Sequence, residues 1–237
     1  MNYYIASCVF TERFPALSVR IQNFVSEKYG LKVVRCCTPN YKVTEFEERI
    51  PDAQSAEIWK QLPQHAELRP GDNVYSLCHN CNNIIEETQP GVNVHSIWEL
   101  IAEDDDFRFP DLHGAEVTIQ DCWRARDRKE EQDAVRCILQ KMNARCVETE
   151  NNYSHADFCG TSLLRPQPPR NPKLAPKHYA QDIDGLFEEH SPDEQKRIME
   201  KYCGIYTTDM VICYCHYCLE GLLLGGKDGK HLAQLLF

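Results

Sequence analysis

The sequence predicts an α/β protein of two pseudo-repeated lobes, each a parallel sheet of βαβ units with its cysteines gathered at the carboxyl ends of the strands. Three observations predict it. Strand-like apolar runs alternate with helical patterns along the chain, and the order of elements in the first half recurs in the second. A C-H-x-C turn stands at the same point of both orders, in VYSLCHNCNN (74–83) and VICYCHYCLE (211–220).

In the first half, residues 3–7 alternate as a strand that ends at Cys8. Residues 15–29 place Leu17, Ile21, Phe24 and Val25 on one helical face, and Gly30 supplies a stop. Residues 31–35 form a strand running into Cys36-Cys37. After a polar stretch and a helix around Ala56, a strand over 73–77 delivers Cys78 and Cys81, and a helix starts within 82–87. The second half repeats this. A strand over 116–121 ends at Cys122, and a helix over 130–142 carries Ala134, Val135, Ile138, Leu139 and Met142 as its apolar stripe. A strand over 144–149 leads toward Phe158-Cys159-Gly160. A strand over 209–214 then delivers Cys215 and Cys218 ahead of a helix at 219–224. The acidic run at 103–106 and the turn-rich 109–114 set the boundary, giving lobes of 1–112 and 113–237. The segment RPQPPRNPKLAPK (165–177), with five prolines, reads as an extended inserted loop.

Composition narrows the function. A formal charge of −10 on 237 residues argues against a general nucleic-acid or anionic-membrane binder, which would need surplus Lys and Arg. No apolar run approaches the roughly 20 residues that span a bilayer, and MNYYIASCVFTER lacks a basic segment followed by a long apolar one. The expectation is a cytoplasmic protein with no membrane insertion. Nucleotide signatures are absent: GGKDGKH (225–231) fails the phosphate-loop pattern, and neither G-x-G-x-x-G nor G-x-S-x-G occurs. Thirteen cysteines, an odd number set in adjacent and C-x-x-C arrangements, point to metal or redox chemistry rather than a disulfide framework.

A thiolate at one strand end and two more from a C-x-x-C turn entering a helix can converge on one ion or cluster, where the helix N-terminal amides favour the charged sulfur. The first lobe offers five thiols, Cys8, Cys36, Cys37, Cys78 and Cys81. The second offers four, Cys122, Cys159, Cys215 and Cys218, enough for tetrahedral zinc or an ordinary iron–sulfur cluster. Cys213 can add a fifth thiol, but its first-lobe counterpart is Ser76. Cys203 stands at a helix end, while Cys137 and Cys146 read as core thiols. His79 and His216 share one slot within the two turns and can coordinate metal, donate hydrogen bonds to sulfur or, as with His79 in the first lobe, act as a proton donor to a leaving thiolate. His155 is a remote candidate for the second site.

On this order of cysteines the chain resembles the CCG-type cysteine-rich proteins exemplified by the B subunit of heterodisulfide reductase. Their motif is a cysteine, a long spacer, a Cys-Cys pair, a second spacer and C-x-x-C, occurring twice. The resemblance implies noncubane [4Fe–4S] clusters that bind and reduce a disulfide or pass electrons. It maps the full motif onto Cys8, Cys36, Cys37, Cys78 and Cys81. In the second copy Phe158 stands where the first cysteine of the pair is expected, so a cubane [4Fe–4S] cluster or zinc is the more natural occupant there. The implied partners are flavin or ferredoxin-like redox subunits and a small disulfide or thiol substrate. Two alternatives stay open: a non-enzymatic zinc or iron–sulfur scaffold for a redox partner, and a metal-free dithiol oxidoreductase acting through Cys78–Cys81 or Cys215–Cys218.

Overall fold

Two four-stranded, all-parallel sheets flanked by helices carry the chain in the computed structural model, which describes residues 1–35, 48–63, 67–181, 183 and 185–237. Cys36 and Cys37 lie outside the described residues. One compact unit comprises Met1–Ile97 with Leu174–Pro176 and Phe237. The other comprises Trp98–Lys173 and Lys177–Leu236. The division at Ile97/Trp98 precedes the 112/113 boundary expected from the acidic and turn-rich stretch.

In the first unit β1 (Asn2–Ile5) leads through α1 (Cys8–Arg13) and α2 (Pro15–Tyr29) to β2 (Lys32–Val34). The sequence explains α2 at both ends: Pro15 opens it with φ preset for a first turn, and Gly30 closes it at φ 64°. Its inward face is Leu17, Ile21 and Val25, with Phe24 half-buried. Next come α3 (Ala53–Gln61), β3 (Asn73–Ser76), α4 (His79–Thr88) and β4 (Asn93–Ser96). Tyr3, Ile5, Val34, Val74, Cys78, Cys81 and Ile85 form one apolar cluster beneath the strand ends. The short helix α5 (Ile97–Ala102) follows β4 directly.

The second sheet repeats the first with β5 (Glu116–Gln120), α6 (Lys129–Lys141) and β6 (Arg145–Glu148). Its remaining elements are α7 (Arg170–Leu174), α8 (Pro176–Tyr179), α9 (Pro192–Cys203), β7 (Met210–Cys213), α10 (His216–Leu224), β8 (Asp228–His231) and α11 (Leu232–Leu236). The proline-rich 165–177 is therefore not one extended loop. It contains α7 and the start of α8, because a proline such as Pro176 suits the first helical position. Cys146, expected in the core, is exposed, since β6 is an edge strand; Cys137 is only half-buried on α6.

The strand orders are β2-β1-β3-β4 and β6-β5-β7-β8. In each, the chain builds outward in one direction from the first strand and then returns to build in the other. The switch point lies between β1 and β3, and between β5 and β7. Diverging crossovers leave a crevice above the carboxyl ends of that central pair, where α/β proteins place their ligands. In the second unit Cys122 and Cys215 follow the two central strands by two residues each. Among the described residues, no helix is long and apolar enough to cross a membrane.

Candidate metal centre

The second switch point brings four sulfurs together. Cys122, Cys159, Cys215 and Cys218 are all buried, and their Sγ atoms lie within 4.8 Å of one another. Cys122 follows β5 by two residues, at the entrance to a 3-10 turn over Trp123–Ala125. Cys215 follows β7 by two residues as the N-cap of α10, and Cys218 is the third residue of that helix. N-cap and third-position side chains approach each other at any helix start, which is why a C-x-x-C placed there turns both sulfurs to one point. The fourth sulfur arrives from the chain between β6 and α7, where Cys159 precedes a 3-10 turn over Gly160–Leu163.

Backbone contacts hold that loop in place. The Trp123 N–H donates to the Phe158 carbonyl at 2.9 Å, tying the Cys122 turn to the Cys159 loop. Gly160, at φ 55°, lies so close to α10 that a Cβ there would stand 1.9 Å from the Tyr217 carbonyl oxygen. One turn on, the Thr161 hydroxyl donates to Glu220 at 2.6 Å, and Arg165 also binds that carboxylate at 2.7 Å. Phe158, the residue before Cys159, is buried and stacks on Tyr202 with ring centroids 4.6 Å apart.

A second network braces Cys122 from behind. The fully buried Asp121 accepts from Arg136 at 2.8 Å, from the Tyr214 hydroxyl at 2.7 Å and from the Tyr153 N–H at 2.9 Å. Arg136 also donates to Glu148 at 2.6 Å. Tyr214 lies between Cys213 and Cys215, so one carboxylate links the ends of both central strands. A single buried acceptor with several donors gives each strand end one position.

The sulfurs are not equivalent. Cys122 donates to Cys159 at 3.5 Å, and Cys159 and Cys215 stand 4.0 Å apart. Burial pushes the Cys122 and Cys218 thiols well above the ordinary range, with further contributions from the neighbouring thiols. Burial opposes ionisation of Cys159 too, but the Cys122 hydrogen bond and the Arg124 charge bring it below that range. Of these three thiols Cys159 is the one whose ionised form its surroundings favour.

Cys213 is fully buried but falls outside the quartet; its thiol faces the Cys215 carbonyl at 3.6 Å and is held high by burial and by Cys215. Its counterpart Ser76 accepts from the Cys78 N–H at 2.9 Å, so in both units this position supports the turn rather than the site. His155 is exposed and also outside the quartet. His79 and His216 are buried first residues of α4 and α10. The chain matches no protein-family model, no curated protein and no solved structure.

In the first unit the topology repeats with one offset. Cys78 is the N-cap of α4 and Cys81 its third residue, as Cys215 and Cys218 are in α10. Cys8, however, follows β1 by three residues and is half-buried, with Ser7 capping α1 in the place that Cys122 takes after β5. The two sites are thus built differently at their first cysteine.

Sequence reasoning did not single out Arg124, whose buried guanidinium donates to Cys159 Sγ at 2.5 Å. The signal available was its position two residues past Cys122. That alone does not separate it from Arg126 and Arg128 nearby.

A pH dependence follows from the buried thiols. In the metal-free chain Cys122, Cys213 and Cys218 stay protonated when folded but ionise near the ordinary thiol value of about 8.5 when unfolded. Their stabilising contribution is full below that pH and is lost as pH rises through the raised folded values. The lowered Cys159 acts in the opposite sense, one group against three. The thermal midpoint measured in chelator is expected to fall between pH 7 and pH 10. A midpoint that rose over that interval would contradict the buried-thiol assignment.

Proposed function

We propose that this protein is a metal–thiolate redox component whose second unit holds one zinc ion on Cys122, Cys159, Cys215 and Cys218. One observation carries the zinc reading, the sulfur spacing. A tetrahedral zinc with bonds of about 2.3 Å sets its sulfurs about 3.8 Å apart, close to the 3.5 and 4.0 Å found here. An iron–sulfur cube gives each thiolate its own iron and spreads the ligand sulfurs farther than four atoms within 4.8 Å. Four thiolates and no open position make a closed, structural centre. It stabilises its unit and does not relay electrons, because zinc has no accessible redox change.

The redox centre then belongs to the first unit, as a noncubane [4Fe–4S] cluster on Cys8, Cys36, Cys37, Cys78 and Cys81 that reduces a small disulfide with electrons from a flavin or ferredoxin-like subunit. The five-cysteine motif supports this reading, as does the repetition of the Cys78/Cys81 helix start in the second unit. A cluster there supplies electrons at sulfur-ligated iron. Cys78 and Cys81, at the start of α4, would be among the residues that hold it, with His79 between them in sequence as proton donor.

Metal and acid-labile sulfide analysis of anaerobically purified protein tests both assignments. The expected result is about one zinc per chain together with iron and sulfide. Cys81→Ser should abolish the iron chromophore and leave zinc intact, whereas Cys137→Ser should leave both. Protein with zinc but neither iron nor sulfide would favour a scaffold without redox chemistry. Fully active protein without any metal would favour a dithiol mechanism.

A further inference from the structure

Arg124 is a buried cation beside Cys159. It lies two residues past Cys122, is 3% exposed, and directs one guanidinium nitrogen to Cys159 Sγ at 2.5 Å and to the Ser162 hydroxyl at 2.8 Å. Ser162 in turn donates to the Cys159 carbonyl at 2.7 Å. The rings of Trp123, Tyr179, Phe187 and Tyr217 stand 5.5–5.9 Å from its guanidinium carbon. Burying a guanidinium is costly unless something offsets it. The ring faces supply part of the compensation, and the hydrogen bonds to Cys159 and Ser162 add to it. A side chain needed only for packing in an aromatic pocket would be an apolar one.

We propose that Arg124 is a positioning residue for the metal centre, which fixes Cys159 and gives that sulfur a charge-assisted N–H···S bond. The inference rests on the four-sulfur metal reading. An ion bound by four thiolates has a net charge of −2, and the guanidinium brings the buried assembly to −1. The bond also withdraws electron density from Cys159 and makes it a less basic ligand. Partners of this kind, behind the ligands, typically change metal affinity by about 10–100-fold.

The test uses cobalt as a spectroscopic stand-in for zinc in the full-length protein, comparing wild type with Arg124→Gln and Arg124→Lys. Wild type is expected to show thiolate-to-cobalt charge-transfer bands. In Arg124→Gln these should move to lower energy, and competition with a chelator should show affinity roughly 10–100-fold weaker. Arg124→Lys restores the point charge without the planar fork and should fall between, which carries the test if the glutamine variant does not fold. Unchanged band energy in the folded variants, with or without weaker binding, would reduce Arg124 to a packing residue and overturn the proposal. Failure of wild type to take up cobalt would overturn the metal reading itself, and this inference with it.

Discussion

Replacing Cys218 by serine should remove stoichiometric zinc from the protein and lower the stability of the second unit more than any single thiol substitution outside the quartet. Structural zinc contributes about 10–16 kcal/mol of apparent binding free energy, so each of four ligands carries roughly 3 kcal/mol, or about two powers of ten in affinity. A metal that binds only the folded state stabilises it through mass action, and a hundredfold loss of affinity removes about 2.7 kcal/mol at saturating metal. For a unit of this size that lowers the thermal midpoint by roughly 10 °C. Cys203→Ser is the matched control. Cys203 is also buried, at the end of α9 where a side chain on Gly225 would press against its sulfur, but it lies outside the quartet. Burial holds its thiol up at about 11, so it contributes packing and no charge. That variant should lose some stability and keep its zinc. Zinc bound to Cys218→Ser as tightly as to wild type would refute the four-thiolate centre.

The fold was legible where local pattern and tertiary burial agree. The strands of both central pairs are apolar, and the helices α2 and α6 show a clear inward stripe, so their sequences carry the period of the structure. The fourth strands did not announce themselves. Asn93–Ser96 (NVHS) and Asp228–His231 (DGKH) are short, polar edge strands whose partners come from far along the chain. Their extended form depends on an existing sheet rather than on propensity. Within the site, the C-x-x-C spacing revealed Cys215 and Cys218 because both lie on one helix start. Cys122 and Cys159 were legible only through the repeated order of elements, and the structure brings them to the other two. Arg124 was not legible, because its contact with Cys159 joins positions 35 residues apart in the chain. The offset of Cys8 relative to Cys122 was hidden for a similar reason. Aligning strand ends by eye cannot resolve one residue, yet one residue separates an N-cap from the first helical position.

Gly160→Ala should damage the same centre without removing a ligand. Gly160 has φ 55°, a conformation that disfavours any side chain, and its Cβ would stand 1.9 Å from the Tyr217 carbonyl oxygen and 3.0 Å from the Gly221 nitrogen. Both obstacles are backbone of α10, so neither can rotate away. Gly221 faces it across the contact, and a Cβ there would meet the Gly160 Cα at 2.4 Å. The pair of glycines lets the Cys159 loop touch the helix that carries Cys215 and Cys218. Any added carbon forces them apart and moves Cys159 away from sulfurs now within 4.8 Å of it. Left-handed strain and overpacking together cost about 2–5 kcal/mol. Gly226→Ala separates the two effects, since Gly226 has φ 78° but open space around its missing Cβ. It should pay only the conformational part, about 1 kcal/mol, and bind metal normally. Melting curves with and without zinc discriminate the cases. Gly160→Ala retains all four sulfurs, so excess zinc should recover part of its lost midpoint, whereas Cys218→Ser should recover far less. If Gly160→Ala behaved like Gly226→Ala in both stability and metal affinity, close approach of loop and helix would not be what sets the position of Cys159.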